Sequence, residues 1–188
     1  MSKPMKLLNH PSTLSGIPTP SVRVGRNGQV LRVTYRIPGD TSMVAFPERI
    51  EPFAKRSEQR RADRLWEHTC FEAFVRTSEG SRYFELNFSP SSEWAAYAFD
   101  DYRKGMRSAD IEIPAVHPTA WANRFELSAR VVLPPDWVNL TWLLNLTAVI
   151  EERDGTKSYW ALSHPPDGPP DFHHPACFTL ELPPPSEA

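Results

Sequence analysis

The chain has 188 residues, close to the usual size of one domain, and we expect a single globular unit over residues 1–188. Hydrophobic residues make up 40% and charged residues 23%, so the chain is too apolar to be disordered, and its 20 prolines exclude long helices. The net charge of −2 provides no broad positive field, so neither nucleic acid nor an acidic membrane is an expected partner.

The amino-terminal residues lack the apolar centre of a secretory signal, and the longest apolar stretch, 142–150, is too short to cross a membrane. We therefore expect a soluble, cytoplasmic protein. Cys70 and Cys177 lie in apolar segments and lack the close pairing of a zinc site. Buried free thiols are the expected state of both residues.

Short runs of β-branched and aromatic residues, separated by proline, glycine and charge, predict an all-β antiparallel sandwich with few short helices. The first two strands, 21–26 and 29–37, flank Asn27-Gly28, a dipeptide typical of hairpin turns. The charged segment 48–65 predicts a surface excursion with one short helix.

The rest of the chain continues the strand pattern. Residues 69–76, 82–88 and 93–99 are close enough together to predict an antiparallel meander, followed by a loop over 100–118. The remaining predicted strands are 124–133, 140–151, 157–162 and 176–182, with Asp154-Gly155 as a second hairpin turn and a frayed tail over 183–188.

Alternation along these strands separates an apolar face from a polar one. Glu72 is expected on the face of its strand opposite to that of Phe71. Glu85 and Asn87 are expected on the face opposite to that of Leu86. The same alternation places further residues of the later strands on the polar face: Arg124, Glu126, Ser128, Arg130, Asn145 and Thr147. One sheet surface is thus expected to carry carboxylates, amides and guanidinium groups. It is either the water-facing side of a sandwich or, together with aromatic rings, a site suited to the hydroxyls and C–H faces of a sugar.

Three separated blocks of sequence, from about residue 61 to the carboxyl terminus, carry a family resemblance. They read RADRLWEHTCFEAFVR, YFELNFSPSSEWAAYAFDDYRKGM and YWALSHPPDGPPDFHHPACFTLEL. In this order they resemble the bacterial DOMON-like proteins related to family 9 carbohydrate-binding modules. The resemblance implies a β-sandwich of jelly-roll type with a ligand site on or beside one sheet.

The resemblance also implies a set of ligand-binding residues. In the sugar-binding members two tryptophans sandwich a saccharide, while a carboxylate, an amide and an arginine bond its hydroxyls. Trp66 and Glu72 are similar to the first tryptophan and the carboxylate, and Trp160 is the candidate for the second ring. Asn87 and Arg103 are selected as the amide and the arginine from the strand and loop that they occupy.

A purely structural interpretation stays open for these residues. Tryptophan is largely buried on average, so Trp66 and Trp160 can both be core rings. Glu72 can equally form a structural salt bridge, for which Arg64, Arg103 and Arg130 are the available partners.

Histidines near the carboxyl terminus define the alternative site. His164, Asp171 and His173 have suitable chemistry for a metal, although they do not follow a standard short ligand spacing. Because the wider DOMON superfamily includes haem-binding domains, Met106 with His164 is the candidate pair for haem iron.

Signatures of catalysis are missing from the chain. It has no G-x-S-x-G, P-loop, H-E-x-x-H or G-x-G-x-x-G motif, and only Glu72 with Glu85 offers the type of carboxylate pair that glycosidases use. The sequence therefore predicts a non-catalytic domain without a cofactor that binds a saccharide or similar polyhydroxylated molecule. The alternatives are a haem- or metal-binding domain and a structural or interaction module that has no ligand.

Overall fold

A computed structural model describes residues 1–48, 50, 55 and 58–185, and its strands form two antiparallel sheets. The all-β prediction is confirmed: the described residues contain no α-helix, and short 3-10 turns lie at Leu65–Glu67, Pro135–Trp137 and Pro175–Cys177. None of the described segments forms a helix with the length and apolar character needed to span a bilayer.

In the described part of the chain, thirteen strands make up the two sheets. In chain order they are β1 (Met5–Lys6), β2 (Leu8–Asn9), β3 (Ser21–Asn27), β4 (Val30–Pro38), β5 (Cys70–Thr77), β6 (Tyr83–Phe88), β7 (Trp94–Phe99), β8 (Arg107–Ser108), β9 (Ala115–Trp121), β10 (Arg124–Val132), β11 (Trp142–Glu151), β12 (Lys157–Ala161) and β13 (Leu180–Leu182). The five-stranded sheet has the order β1-β3-β4-β10-β9. The eight-stranded sheet has the order β2-β12-β11-β5-β6-β7-β8, with β13 paired to β11.

The predicted hairpins and meander are confirmed. β3 and β4 pair from Asn27 and Val30 outward, and Gly28, with φ of 58°, begins the two-residue turn between them. β5, β6 and β7 pair consecutively, and β11 pairs with β12 across the turn that contains Gly155. Positive φ at both glycines explains why these dipeptides marked the turns.

Other predicted boundaries were wrong. The segment 100–118 is not a continuous loop, because it contains β8 and the start of β9. β9 includes Pro118, and this proline interrupts the sequence pattern typical of a strand. The structure accommodates it because β9 is an edge strand, where proline is tolerated. The predicted strand 176–182 is a strand only over Leu180–Leu182, and β1 and β2 were not predicted. The predicted excursion 48–65 and tail 183–188 lie partly outside the described residues.

Large apolar side chains from both sheets meet in one core. Phe71 of β5 stacks on Phe125 of β10, with ring centroids 5.8 Å apart and an interplanar angle of 16°. Tyr35 of β4 is also buried there, and its hydroxyl donates a hydrogen bond across the sandwich to the backbone carbonyl of Glu72. Cys70 and Cys177 are buried free thiols, as predicted.

The polar residues identified by parity do not share one surface, which corrects that expectation. Arg124 and Glu126 of β10 face outward from the five-stranded sheet, where Glu126 lies 3.2 Å from Arg124 and 3.8 Å from Arg36. Glu72 and Asn87 lie on the eight-stranded sheet, directly opposite each other on β5 and β6. Parity assigns a residue to one face of its own strand and carries no information about which sheet the strand joins.

Arg26, at the end of β3, holds one end of the sandwich together. Its guanidinium carbon lies 3.6 Å from the ring centroid of Trp142 on β11. The guanidinium group donates to five backbone carbonyls, which belong to Gly28, Trp137, Val138, Leu140 and Leu182. It therefore links the first hairpin to β13 and to the segment that leads into β11.

Replacement of this arginine tests the link. We expect Arg26→Met to lower the free energy of unfolding by about 1.5–3 kcal/mol, because hydrogen bonds from a charged donor are lost and carbonyls lose their partner. Urea unfolding monitored by circular dichroism measures the change. Arg23→Met, an exposed position on the same strand, is the matched control and should stay within about 0.5 kcal/mol of the wild type. Equal effects of the two substitutions would contradict the assigned role of Arg26.

Candidate functional site

A cavity of about 360 Å³ opens on the outer face of the eight-stranded sheet. Its floor is formed by residues of β5, β6, β7, β11 and β12. The walls come from the 3-10 turn before β5, the loop 100–106 after β7, and the long loop 162–179 between β12 and β13. The lining residues are Trp66, Glu72, Phe74, Glu85, Phe99, Arg103, Met106, Val149, Tyr159, Pro170, Phe172 and His173.

Two buried carboxyl groups lie in the floor. Glu72 is 2% exposed and Glu85 is 5% exposed. Glu72 accepts a hydrogen bond of 2.9 Å from the hydroxyl of Thr147, its cross-strand neighbour on β11. Glu85 accepts one of 2.8 Å from the side-chain amide of Asn87. The predicted polar face of this sheet is thus a set of buried, hydrogen-bonded groups and not a solvated surface.

Burial changes the acidity of both groups. Desolvation, reinforced by the nearby charge of Glu85 and opposed by the Thr147 hydroxyl, raises the pKa of Glu72 to about 8. Desolvation also raises the pKa of Glu85, while the Asn87 amide and the charge of Arg103 act in the opposite direction. The pair therefore retains a proton near neutral pH.

A chain of hydrogen bonds connects the cavity wall to the floor. The backbone N–H of Arg103 donates to the Tyr83 hydroxyl at 3.2 Å, and this hydroxyl lies 2.8 Å from Nδ1 of His173. Nε2 of His173 lies 3.6 Å from Oε2 of Glu85. Burial, followed by the charge of Arg103, lowers the pKa of His173 to about 4, so the ring is neutral at pH 7.

Arg103 is held in place by a tight turn and by an ion pair. It adopts a left-handed conformation, with φ of 54°, between the bridged residues Asp101 and Lys104. Its guanidinium group donates to Asp171 at 2.7 Å, which joins the loop 100–106 to the loop 162–179. Gly105 completes the turn, because a Cβ atom there would lie 2.2 Å from a carboxylate oxygen of Asp100.

Aromatic rings form much of the remaining surface. Trp66 packs edge-on against Tyr97, with ring centroids 5.7 Å apart, and the Tyr97 hydroxyl donates to Asp63 at 2.7 Å. Tyr159 of β12 and Phe172 of the long loop lie 6.2 Å apart between ring centroids. The cavity thus combines apolar ring surface with buried hydrogen-bonding groups.

The structure brings together three of the five predicted ligand-binding residues. Trp66, Glu72 and Arg103 line the cavity. Asn87 lies at the floor without lining the cavity, and its amide binds Glu85. Trp160 is directed to the interior between the sheets, where it is 5% exposed and its indole N–H donates to Ser158 at 2.8 Å.

Tyr159 occupies the position on β12 that reaches the cavity, because consecutive residues of a strand point to opposite faces. It pairs with Val149 of β11, another lining residue, and parity along β12 could have identified it. Glu85 was selected by parity but not as a ligand-binding residue. Phe172 and Pro170 lie on a loop whose path no periodic pattern indicates.

The alternative site of histidines does not assemble. Asp171 and His173 lie together, with the His173 backbone N–H donating to Asp171 at 3.1 Å. His164 lies elsewhere: its Nε2 donates to the Leu8 carbonyl at 2.8 Å and its Nδ1 is buried without a partner. Across the residues that the structure describes, no three His, Cys, Asp or Glu side chains form a group able to hold a metal ion.

The predicted haem ligands also do not fit an axial pair. Met106 lines the cavity, whereas His164 is not among the residues that line it, and its Nε2 donates to the Leu8 carbonyl. An axial histidine needs a free nitrogen directed at the iron.

Comparison with solved structures reveals two related folds. A Bacteroides uniformis protein, provisionally described as carbohydrate-binding, is 16% identical, with a TM-score of 0.66 over 94% of this chain and 83% of that one. A family 9 carbohydrate-binding module from Caldicellulosiruptor kristjanssonii, in complex with cellotriose, is 10% identical, with a TM-score of 0.51 over 81% of this chain and 69% of that one. At these identities the similarity shows a shared fold. The chain matches no protein-family profile and no curated protein sequence.

The buried carboxyl pair predicts a specific dependence of stability on pH. Glu72 titrates near 4.5 when unfolded and near 8 when folded, so its stabilising contribution is complete below pH 4.5 and is lost as the pH rises through 8. We expect the free energy of unfolding to decrease between about pH 4.5 and 8, by at most about 1.4 kcal/mol per pH unit for each proton, and to level off above pH 8.

Urea unfolding at several pH values measures this dependence. Glu72→Gln should flatten it, because the amide mimics the protonated acid and cannot ionise. Glu79→Gln, at an exposed turn, is the control and should leave the slope unchanged. A wild-type stability that increases over this pH range would refute the assignment.

Proposed function

We propose that this protein binds a saccharide, without chemically transforming it, in the cavity on the outer face of the eight-stranded sheet. The observation that carries the proposal is that one cavity combines aromatic rings with buried carboxyl groups. Sugar rings present both apolar C–H faces and hydroxyls, and this combination of surfaces binds both.

The polar groups have complementary roles in this proposal. Protonated Glu72 can donate to a sugar hydroxyl, and the carboxyl oxygens of Glu85 can accept from one. The Arg103 guanidinium, fixed by Asp171, offers additional donors at the wall. Trp66 provides an indole surface from one side, and Tyr159 replaces the predicted Trp160 as the ring on the sheet.

The size of the cavity and the shared fold agree with a small saccharide. A volume of about 360 Å³ is at the small end of ligand pockets, which range over roughly 300–1,000 Å³. A protein that shares this fold is a carbohydrate-binding module in complex with cellotriose. We therefore propose a ligand of one or two sugar rings.

Calorimetric titration with neutral mono- and disaccharides, glucose and cellobiose among them, tests the proposal. We expect saturable binding to the wild type, and Trp66→Leu should weaken it about 10-fold or more, because a stacking surface is lost. Trp121→Leu is the matched control: this tryptophan is 41% exposed on the five-stranded sheet, far from the cavity, and its loss should leave affinity unchanged.

Two results would count against the proposal. Failure of every saccharide in the panel to bind would refute carbohydrate recognition. Hydrolysis of a bound disaccharide during the titration, detected by chromatography and abolished by Glu72→Gln or Glu85→Gln, would show that the protein is an enzyme that uses these carboxyl groups.

A further inference from the structure

The two carboxyl groups in the cavity floor are close neighbours. Glu72 pairs directly with Asn87 on β6, and Glu85 precedes Asn87 by two residues, so the two glutamates are diagonal neighbours. Diagonal positions on adjacent strands are about 7–8 Å apart and within reach of long side chains. Their carboxyl groups can therefore contact the same small group in the cavity.

Neither glutamate has a charged cationic partner in the described part of the chain. Glu72 is bonded by the neutral hydroxyl of Thr147, and Glu85 by the neutral amide of Asn87. His173 approaches Glu85 at 3.6 Å but is neutral at pH 7. Hydrogen bonds from neutral donors do not compensate the charge of two buried carboxylates.

Arg103, the cation in the wall, is already paired. Its guanidinium group lies 2.7 Å from Asp171, and that ion pair has no net charge. With both glutamates ionised, the set of Glu72, Glu85, Asp171 and Arg103 has three negative charges and one positive, a net charge of −2. Other titratable side chains near the glutamates are neutral at pH 7, since burial raises the pKa of each: Tyr35, Cys70, Tyr83 and Tyr97.

The cavity thus has too few positive charges to balance its carboxylates. The residues that line it indicate which type of cation could bind there and balance them. The described residues offer no group of three side chains able to hold a metal ion. The rings of Trp66 and Tyr159 instead favour an organic cation, because aromatic faces attract ammonium groups and also stack on sugar rings.

We propose that the ligand is an amino sugar with a free, protonated amine, and that its ammonium group binds between the carboxyl groups of Glu72 and Glu85. This inference rests on the proposed saccharide-binding function and narrows it to a cationic class of sugar. Binding the ammonium ion allows both carboxyl groups to ionise, so the proton that they retain in the free protein is released to solvent.

Calorimetry with closely matched sugars tests the inference. Glucose is compared with 2-, 3- and 6-amino-glucose and with N-acetylglucosamine, whose acetylated nitrogen has no charge, at about pH 6.5. We expect at least one amino sugar to bind about 10-fold or more tightly than glucose, and N-acetylglucosamine to lose that advantage. Titration of the amino sugar in buffers of different ionisation enthalpy should reveal proton release, which glucose should not cause.

Two isosteric substitutions test whether the preference for the amine depends on the two glutamates. Glu85→Gln and Glu72→Gln should each reduce the ratio of amino-sugar affinity to glucose affinity to about 2-fold or less, because neither amide can carry the negative charge that pairs with the ammonium group. Both amides resemble a protonated glutamate, and urea unfolding verifies that each variant folds. Glu126→Gln, on the five-stranded sheet, is the control and should retain the full preference.

The outcomes separate this inference from the function on which it rests. Binding of glucose at least as tight as that of every amino sugar would overturn the amine preference and leave saccharide binding intact. A preference that persists in both glutamate variants would also overturn it. The absence of binding by any sugar in the series would refute both proposals.

Discussion

Glu72 and Glu85 lie on the outer face of the eight-stranded sheet with little access to water, and neither forms an ion pair with a lysine or arginine of the described chain. A buried carboxylate without a charged partner is strongly unfavourable, so the surrounding structure must either supply hydrogen bonds or keep a proton on the group. Thr147 and Asn87 supply the hydrogen bonds, and the raised pKa of Glu72 reflects the retained proton. The chemistry of the cavity depends on this constraint.

The burial itself is produced by the loop 162–179. Hydrogen bonds attach the part of this loop that lines the cavity to the sheet and to the neighbouring turn. Asn145 donates its side-chain amide to the Phe172 carbonyl at 3.2 Å, the Tyr83 hydroxyl binds His173, and Asp171 binds Arg103. The same loop residues form the cavity wall, so the element that shapes the site also removes its carboxyl groups from water. Exposure of these carboxyl groups to water would lower the pKa of both glutamates, because desolvation is the main cause that raises each pKa.

The strands and their turns were largely predictable because they depend on local pattern. Alternation identified β5, β6, β7, β10 and β11, and glycine at positive φ identified the two hairpins. β9 was not predicted because its proline interrupts the sequence pattern of a strand, although an edge strand tolerates proline. β1, β2 and β8 have two residues each and are too short for any periodicity to be detected.

The site was predictable in part. Resemblance to family 9 carbohydrate-binding modules selected Trp66 and Glu72, and both line the cavity. Trp160 was selected as the second ring, but the structure directs it into the core and directs Tyr159 to the cavity. The resemblance to the DOMON-like proteins stays a prediction from the sequence.

Alternation and turn residues by themselves determined an all-β chain, the faces of its main strands and the presence of acidic side chains opposite the apolar core, because each of these follows from neighbours within a few positions. Only the tertiary structure decided which sheet each strand joined, that Glu72 and Glu85 share one cavity, and that a distant loop covers them. Those outcomes depend on contacts between residues far apart in sequence, such as Tyr83 with His173, and no local pattern encodes the meeting of such residues.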